Sequence, residues 1–490
     1  MLLETATATQ TIIREISADL ETPISVYMKL RGGEPSFLLE SVEGGERLAR
    51  YSFVGVRPRA QYLIRGNEVE VVESDLSRVV TLDEKADPTS LLQQELARFS
   101  FKPQAGAPRF IGGLVGYLGY ESVRFFEPTL KPALNREDTS HVERAAVPDG
   151  IYLLADTVIA FDHARRSMFI IANAFDGDLE AAQHTLDGIE SRIHASLPAS
   201  QKREVKSSKT SVNMKQGQFE DMVRDAQEHI AAGDIFQVVL SQRFTRDTHL
   251  EPFDVYRSMR RINPSPYMFF FDFGVVAGCG PLCLIGSSPE MFVRLEGRSA
   301  SLRPIAGTRP RGVDSDVDAG LARELLADPK ERAEHVMLVD LARNDLGRVC
   351  EYGTVKVTDF LTVEKYSHVM HLVSHVEGKL RSDRNAFDLV RASFPAGTVS
   401  GAPKVRAMEI ISGLEPEARG PYAGMVGYFG FDGNMDTCLA IRTIVGQAGT
   451  FSVQAGAGIV ADSNPATEYQ ETVNKATAML RAIEMAETNS

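Results

Sequence analysis

The sequence predicts an α+β fold organised around a large antiparallel sheet system. Three observations predict it. Short apolar runs bounded by Gly and Pro recur along the chain, long amphipathic helices stand apart from them, and there is no regular β-α alternation. In the N-terminal part the runs at 36–40, 51–56, 69–72, 110–120, 151–161 and 168–172 read as strands, with helices near 89–99 and 178–195. Residues 197–214 are polar and rich in Ser and Lys, which divides the chain into an N-terminal segment (1–200), a linker (201–214) and a C-terminal region (215–490). The C-terminal region opens on a helix with Phe219, Met222, Val223, Ala226 and Ile230 on one face and Gly233 after its end. A strand follows at 235–240. Asp328-Pro329 caps another helix running through Leu341, and Asn464-Pro465 opens the last, with Tyr469, Val473, Ala476, Leu480 and Ile483 as its buried stripe. GGLVGYLGY at 112–120 echoes AGMVGYFGF at 423–431, which reads as two Gly-flanked buried strands rather than as a duplication.

Of 490 residues, 43% are hydrophobic and 24% charged, which excludes a mostly disordered chain. The net charge of −13 argues against a nucleic-acid or anionic-membrane partner but leaves anionic substrates open, because a local basic cluster outweighs the global sign. Cys279, Cys283, Cys350 and Cys438 show no CxxC pairing and fit free thiols in a reduced, cytoplasmic setting. The first twenty residues carry Glu and Arg where a signal peptide needs an apolar run, so export is not expected. The apolar stretch 268–286 contains Asp272, several glycines and Pro281, and so reads as two buried strands joined by a turn rather than a membrane span.

Carboxylates in odd places are the first chemical signal. Glu334 shares a helix face with Leu338 and Leu341, and on the last helix Glu468 and Glu471 form a like-charge pair whose local cation is Lys475. Two helices offering inward carboxylates make a hard-oxygen site suited to Mg²⁺, although read alone they also fit a solvated helix face. His368, His371 and His375 invite a zinc reading. On a strand, however, His371 and His375 lie about 13 Å apart and His368 points to the other face, so the spacing argues against a zinc site and leaves a single catalytic or hydrogen-bonding His open. Three Gly-rich loops, at 304–312, 394–404 and 454–458, carry Arg309, Arg311 and Lys404, and Arg442 sits in the apparent strand 438–445. None is a Walker A or dinucleotide fingerprint. Each alone is compatible with a tight turn, but together they point to an anionic, phosphate-free ligand such as a dicarboxylate.

The motifs in order are specific: LLESVEGG at 38–45, NPSPYMFF at 263–270, GSSPEM at 286–291, PIAGTRPRG at 304–312 and DPKERAEHVMLVDLARNDLGRV at 328–349. FPAGTVSGAPKVRAMEII at 394–411, PYAGMVGY at 421–428 and QAGAGIVADS at 454–463 complete the set. With them the chain resembles the chorismate-utilising enzymes, and among these the large subunits (component I) of anthranilate synthases. The resemblance implies two antiparallel sheets packed as a sandwich with helices on the outside. It also implies amination of chorismate by ammonia, then elimination of pyruvate to give anthranilate, the first step of tryptophan biosynthesis.

What the resemblance implies for residues is equally definite. Glu334 and Glu471 resemble the Mg²⁺ ligands, with Glu468 in the outer shell. Tyr422, Arg442 and the backbone of Gly456, Ala457 and Gly458 resemble the site for the enolpyruvyl carboxylate, and Gly307, Thr308 and Thr398 line the ring. Glu290 resembles the general acid for the departing hydroxyl, and His371 the active-site histidine. Isochorismate and salicylate synthases resemble this chain but carry a Lys, the base that activates water, where Gln237 stands here; ammonia needs no such base. Aminodeoxychorismate synthases typically carry a nucleophilic Lys at the position of Ala306. That activity is the alternative within the family, and a non-catalytic ligand sensor is the alternative outside it. No glutaminase module is visible, so ammonia is expected from a glutamine amidotransferase subunit, in a heterotetramer. Glu40, Ser41, Pro266, Tyr267 and Met268 resemble the pocket through which tryptophan inhibits allosterically. The complete absence of Trp suits an enzyme that must be translated when Trp is short.

Overall fold

The computed structural model describes residues 7–42, 50–74, 76–83, 86–101, 106–134, 147–198, 209–366 and 369–489. In the N-terminal half the principal elements are β1 (Gln10–Ser17), α1 (Pro23–Leu30), β2 (Ser36–Glu40), β3 (Tyr51–Val56), β4 (Ala60–Arg65), β5 (Glu68–Glu73) and β6 (Leu76–Thr81). They continue with α2 (Thr89–Ala97), β7 (Gly113–Leu118), β8 (Gly150–Ala155), β9 (Thr157–Asp162), β10 (Ser167–Ala174) and α3 (Leu179–Ile193). The C-terminal half begins with α4 (Gln216–Ala231), β11 (Gln237–Asp247), α5 (Pro252–Ile262), β12 (Tyr267–Val276), β13 (Gly280–Ser288), β14 (Met291–Glu296) and β15 (Ser299–Leu302). Then come β16 (Ile305–Pro310), α6 (Ser315–Ala327), α7 (Pro329–Gly347), β17 (Lys356–Lys365), β18 (Val369–Lys379), α8 (Ala386–Ser393) and α9 (Lys404–Leu414). The chain finishes with β19 (Met425–Gly430), β20 (Met435–Leu439), β21 (Thr443–Gln447), β22 (Thr450–Ile459) and α10 (Pro465–Asn489).

Two large sheets result. One runs β16-β18-β15-β14-β20-β19-β7-β8-β4-β5-β6, with β17 added on β18. The other runs β11-β22-β21-β13-β12-β2-β3-β9-β10-β1. Outward from the central pair of each sheet, the two halves repeat one another. In the second sheet β12-β13-β21-β22-β11 mirrors β2-β3-β9-β10-β1, and in the first β19-β20-β14-β15-β18 mirrors β7-β8-β4-β5-β6. Helices follow suit: α1 packs on α3 as α5 packs on α10. The two echoing glycine motifs are counterparts, β7 and β19, and they pair antiparallel from Leu118↔Met425 to Gly113↔Gly430. The reading of that echo as two unrelated strands is therefore corrected to a duplicated topology. Sequence identity survives mainly where backbone contact forbids a side chain: a Cβ on Gly116 would stand 1.9 Å from the Ile151 carbonyl oxygen, and one on Gly427 2.2 Å from that of Asp436.

The sheets pack face to face over an aromatic core that includes Phe37, Phe53, Phe269 and Phe271 from one sheet and Tyr117, Leu153 and Tyr428 from the other. Helices α1, α3, α5 and α10 cover one outer face, and α2, α7, α8 and α9 the other. This is the α+β sandwich the sequence predicts, with the strands of 1–200 and those of 215–490 forming two contiguous blocks that meet at the centre of each sheet. Within the expected linker Thr210–Val212 pairs with β11; 201–208 lie outside the described residues. The apolar stretch 268–286 forms the β12–β13 hairpin, and among the described residues no helix is long and apolar enough to cross a membrane.

Candidate active site

The residues singled out converge where the segment 303–424, inserted between β15 and β19, meets β11, β22 and α10. On β16 the register to β18 slips between Ala306 and Thr308. The slip needs Gly307, whose φ is +65°; a Cβ there would also press on Leu325 and Glu331. It turns the Gly307 carbonyl toward His371, whose Nδ1 donates to it over 2.9 Å, and Thr308 Oγ1 lies 3.2 Å from the same nitrogen. A carbonyl only accepts, so Nδ1 carries the proton and Nε2 is left as a proton acceptor. Burial, aided by the charge of Arg442, holds the His371 pKa below its usual value and keeps the ring neutral at neutral pH. His375 lies beside Glu377 instead, and His368 is outside the described residues.

Two helices bring acids to this point. Helix α7 starts on Asp328, whose carboxylate accepts from the backbone N–H of Lys330 and Glu331 at 3.0 and 3.2 Å, with Pro329 in the first turn. One turn on, Glu334 accepts from Gln237 Nε2 at 3.1 Å. Burial raises its pKa, and neighbouring Glu331 and Glu471 raise it further. On α10, Glu468 is buried and its carboxyl is likewise raised by burial and then by Glu471. Glu471 pairs with Lys475 Nζ at 2.6 Å, and the same ammonium donates to the Gly456 carbonyl at 3.0 Å. Among the described residues no three acidic, His or Cys side chains already form a metal cage. The donor set nevertheless fits a hard divalent cation: all-oxygen, mutually repelling, and drawn from two helices, so that water and a ligand anion would complete it.

Glu290 follows β13 and is 9% exposed, so its carboxyl is desolvated and its pKa is pushed up to about 8; Thr398 Oγ1 donates to it at 2.9 Å and the Lys475 charge opposes the rise. Its main-chain carbonyl is anchored by the Leu439 N–H at 3.1 Å. Arg442 is not inside a strand, as the sequence suggested, but between β20 and β21 at φ +51°, a conformation costly for a side-chain-bearing residue and one that re-aims it. Its guanidinium donates to the Lys475 carbonyl at 3.4 Å, burial lowers its pKa against the opposing pull of Tyr422 and Glu471, and no carboxylate is paired with it among the described residues. The glycine stretch 454–458 is also corrected: it is the interior of β22, not a loop. Gly456 pairs with Ser241 and turns its carbonyl away from β11 to Lys475, so its N–H and that of Gly458 face the same open edge, while Ala457 faces β11. The glycines also admit neighbours: a Cβ on Gly456 would lie 2.7 Å from Tyr422 Oη, and one on Gly458 2.7 Å from Gln237 Nε2.

A second cleft gathers Glu40, Ser41, Pro266, Tyr267 and Met268 between the two sheets, with Arg294 and Asp436 in its wall. Glu40 itself is held by Tyr256 Oη and Arg260 Nε at 2.5 and 3.0 Å. The Ser41 hydroxyl and Arg294 Nε are buried without a partner among the described residues.

Residues 34–481 match the family model of chorismate binding enzymes. The chain belongs to that family. As a chorismate binding enzyme it is 46% identical to anthranilate synthase component 1 of Synechocystis sp., across 96% of this chain and 95% of that protein. Among solved structures it is similar to anthranilate synthase component I from Streptococcus pneumoniae, with a TM-score of 0.76, 35% identity, and 95% and 98% of the two chains covered. The menaquinone-specific isochorismate synthase of Escherichia coli shares the fold, with a TM-score of 0.70 at 19% identity over 98% and 96% of the chains. In this chorismate binding enzyme the sequence missed one part of the site: Glu415 and Arg419, buried behind Tyr422, with Arg419 over the Tyr422 ring at 5.6 Å. An acid and a base four residues apart in a Gly- and Pro-rich stretch carry no periodicity that would mark them as buried.

Proposed function

We propose that this chorismate binding enzyme is the large subunit of an anthranilate synthase. The observation that carries the reading is Gln237. It donates an amide hydrogen to Glu334 at 3.1 Å where a water-activating relative presents a lysine, so the site offers no base for water and suits a nucleophile that needs none. Glu334 and Glu471 would hold Mg²⁺, with Glu468 behind them, and the ion would bind the ring carboxylate of chorismate and neutralise it. Arg442, Tyr422 and the Gly456 and Gly458 amides bind the enolpyruvyl carboxylate, which gives the buried guanidinium its missing anion. Gly307, Thr308 and Thr398 line the ring.

Ammonia adds to ring carbon 2, and the hydroxyl on carbon 4 leaves as water on accepting the Glu290 proton. A carboxyl raised to about 8 still carries that proton at neutral pH. His371 Nε2 then takes the proton from carbon 2 as the bond from carbon 3 to the enolpyruvyl oxygen breaks, the ring becomes aromatic, and the departing enolpyruvate takes up a proton at its methylene carbon to give pyruvate. Ala306 supplies no nucleophile, which favours this over aminodeoxychorismate formation. Ammonia comes from a glutamine amidotransferase subunit in a heteromeric complex. Tryptophan binds the second cleft, where the unpartnered Ser41 hydroxyl and aromatic walls suit a polar head and a bicyclic ring, and shifts the halves toward weaker chorismate binding. A cytoplasmic location fits the four buried free thiols. The purified chain should make fluorescent anthranilate from chorismate, Mg²⁺ and ammonium but not from glutamine, and should gain glutamine use on adding an amidotransferase subunit. Glutamine-dependent turnover by the chain alone, or an aminodeoxychorismate product, would overturn the reading.

A further inference from the structure

We propose that Arg419 is a positioning residue of the chorismate site, holding the Thr398 loop, the Tyr422 ring and strand β11 in register as one unit. The inference rests on the reaction proposed above. Arg419 is 2% exposed and its partner Glu415 4%. Four of its five N–H groups are engaged: Nε and Nη2 grip the Glu415 carboxylate at 2.8 and 2.6 Å, Nη1 donates to the Val399 carbonyl at 2.8 Å, and Nη2 to the Val239 carbonyl at 2.7 Å. Val399 follows Thr398, the donor to Glu290. Val239 pairs with Gly458 across β11 and β22. The guanidinium also stacks under Tyr422, and Glu415 accepts from Ser241, the partner of Gly456, through N–H and Oγ at 2.8 and 2.9 Å.

The N-terminal half locks this hub in place. Glu121 accepts from the backbone N–H of Arg419 and Gly420 at 2.7 and 2.9 Å, and the guanidinium also lies 4.6 Å from the centre of the Tyr120 ring. A buried ion pair is a poor source of net stability but a demanding one in geometry, since every carbonyl it holds must keep its place. Of the groups assigned to chorismate binding Arg419 touches only the Tyr422 ring, so it acts only through Thr398, Tyr422 and the β22 edge. Lysine keeps the charge but cannot span the four acceptors.

Arg419→Lys should fold, bind chorismate more weakly and lower kcat roughly 10- to 100-fold. Combined with Thr398→Val it should add little, leaving kcat within about threefold of Arg419→Lys alone, because the contact it sets is already gone. A role in stability alone would instead give multiplicative effects. Glu415→Gln is the second variant and should move kcat and chorismate affinity in the same direction. Folded variants with wild-type kcat, KM and affinity, or effects that multiply with Thr398→Val, would overturn the inference. If the wild-type chain makes no anthranilate the proposed reaction fails, while chorismate affinity in Arg419→Lys against wild type, measured by calorimetry, still decides the positioning role.

Discussion

The two halves of the chain share a frame and differ in what is inserted into it. Between β5 and β7 the N-terminal half has, among its described residues, the edge strand β6, the helix α2 and a two-residue strand, Phe99–Ser100. Between β15 and β19 the C-terminal half has β16, α6, α7, β17, β18, α8 and α9, and with them Thr308, Glu334, His371, Thr398, Arg419 and Tyr422. The counterpart helices α3 and α10 make the same point. On α3, Asp187 is bonded by Arg14 of β1 at 2.6 Å, and Glu190 pairs with the same arginine at the surface. On α10, Glu471 raises the pKa of Glu334 in the inserted segment, and Glu468 is raised in turn by burial and by Glu471. The repeated sandwich is thus a scaffold, and chemistry arises only where an added layer walls off polar groups that cannot satisfy each other.

That contrast is breakable. The largest effect should come from the acids: Glu334→Gln or Glu471→Gln should cut turnover about 1,000-fold or more, ~4 kcal/mol of barrier, in a folded protein. Asp187→Asn on α3, in the same assay, should leave kcat unchanged. Near-normal activity of either active-half variant at moderate Mg²⁺ would dissolve the contrast. Next comes Glu290→Gln, expected to lose about 10²- to 10⁴-fold in kcat while chorismate still binds, since it removes a general acid. The same residue sets a pH limb. Burial raises its pKa to about 8, so the acid form is lost, and kcat should fall, as pH rises through that value. A profile flat to pH 9.5 would contradict the assignment. His371→Gln should slow pyruvate release more than chorismate consumption, so that an aminated intermediate accumulates; equal slowing of both would remove it from the second step.

The smallest effect on basal rate belongs to the cleft between the sheets. Ser41→Phe and Met268→Thr should keep uninhibited activity within about twofold, as expected for residues remote from the reacting groups, while relieving tryptophan inhibition. Met268 pairs with Glu40 at the central seam of its sheet, where the N- and C-terminal halves meet, so a ligand there can bias their arrangement without touching the acids. Unchanged tryptophan sensitivity in both variants would rule out this cleft.

Local features were legible in the sequence, and non-local ones were not. Helices α7 and α10 carry their caps and their odd acids within a few residues, so Glu334, Glu468 and Glu471 could be found by periodicity alone. The stretch at 454–458 looked like a loop because glycine is the usual mark of one. In β22 the glycines serve instead to let Tyr422 and Gln237 come close, a need created by residues far away in sequence. Arg442 looked like a strand residue because its neighbours are β-formers, yet its φ of +51° follows from the turn between two strands paired with other partners. The duplication left a nine-residue echo, since a shared strand order constrains glycines at close crossings far more than the side chains that pack each sheet. Arg419 and Glu415 were silent for the same reason: apart from each other and Tyr422, their partners are Val239, Ser241, Val399 and Tyr120, none within fifteen residues.

The central claim is that the site between β11 and the inserted layer of the C-terminal half directs ammonia, not water, onto chorismate. The most direct test is to incubate the purified chain with chorismate, Mg²⁺ and ¹⁵N-ammonium and follow the products by NMR. The account predicts one aromatic product with ¹⁵N on the carbon next to the ring carboxylate, formed in equal amount with pyruvate. Isochorismate, a product aminated opposite the carboxylate, or unreacted chorismate would contradict it.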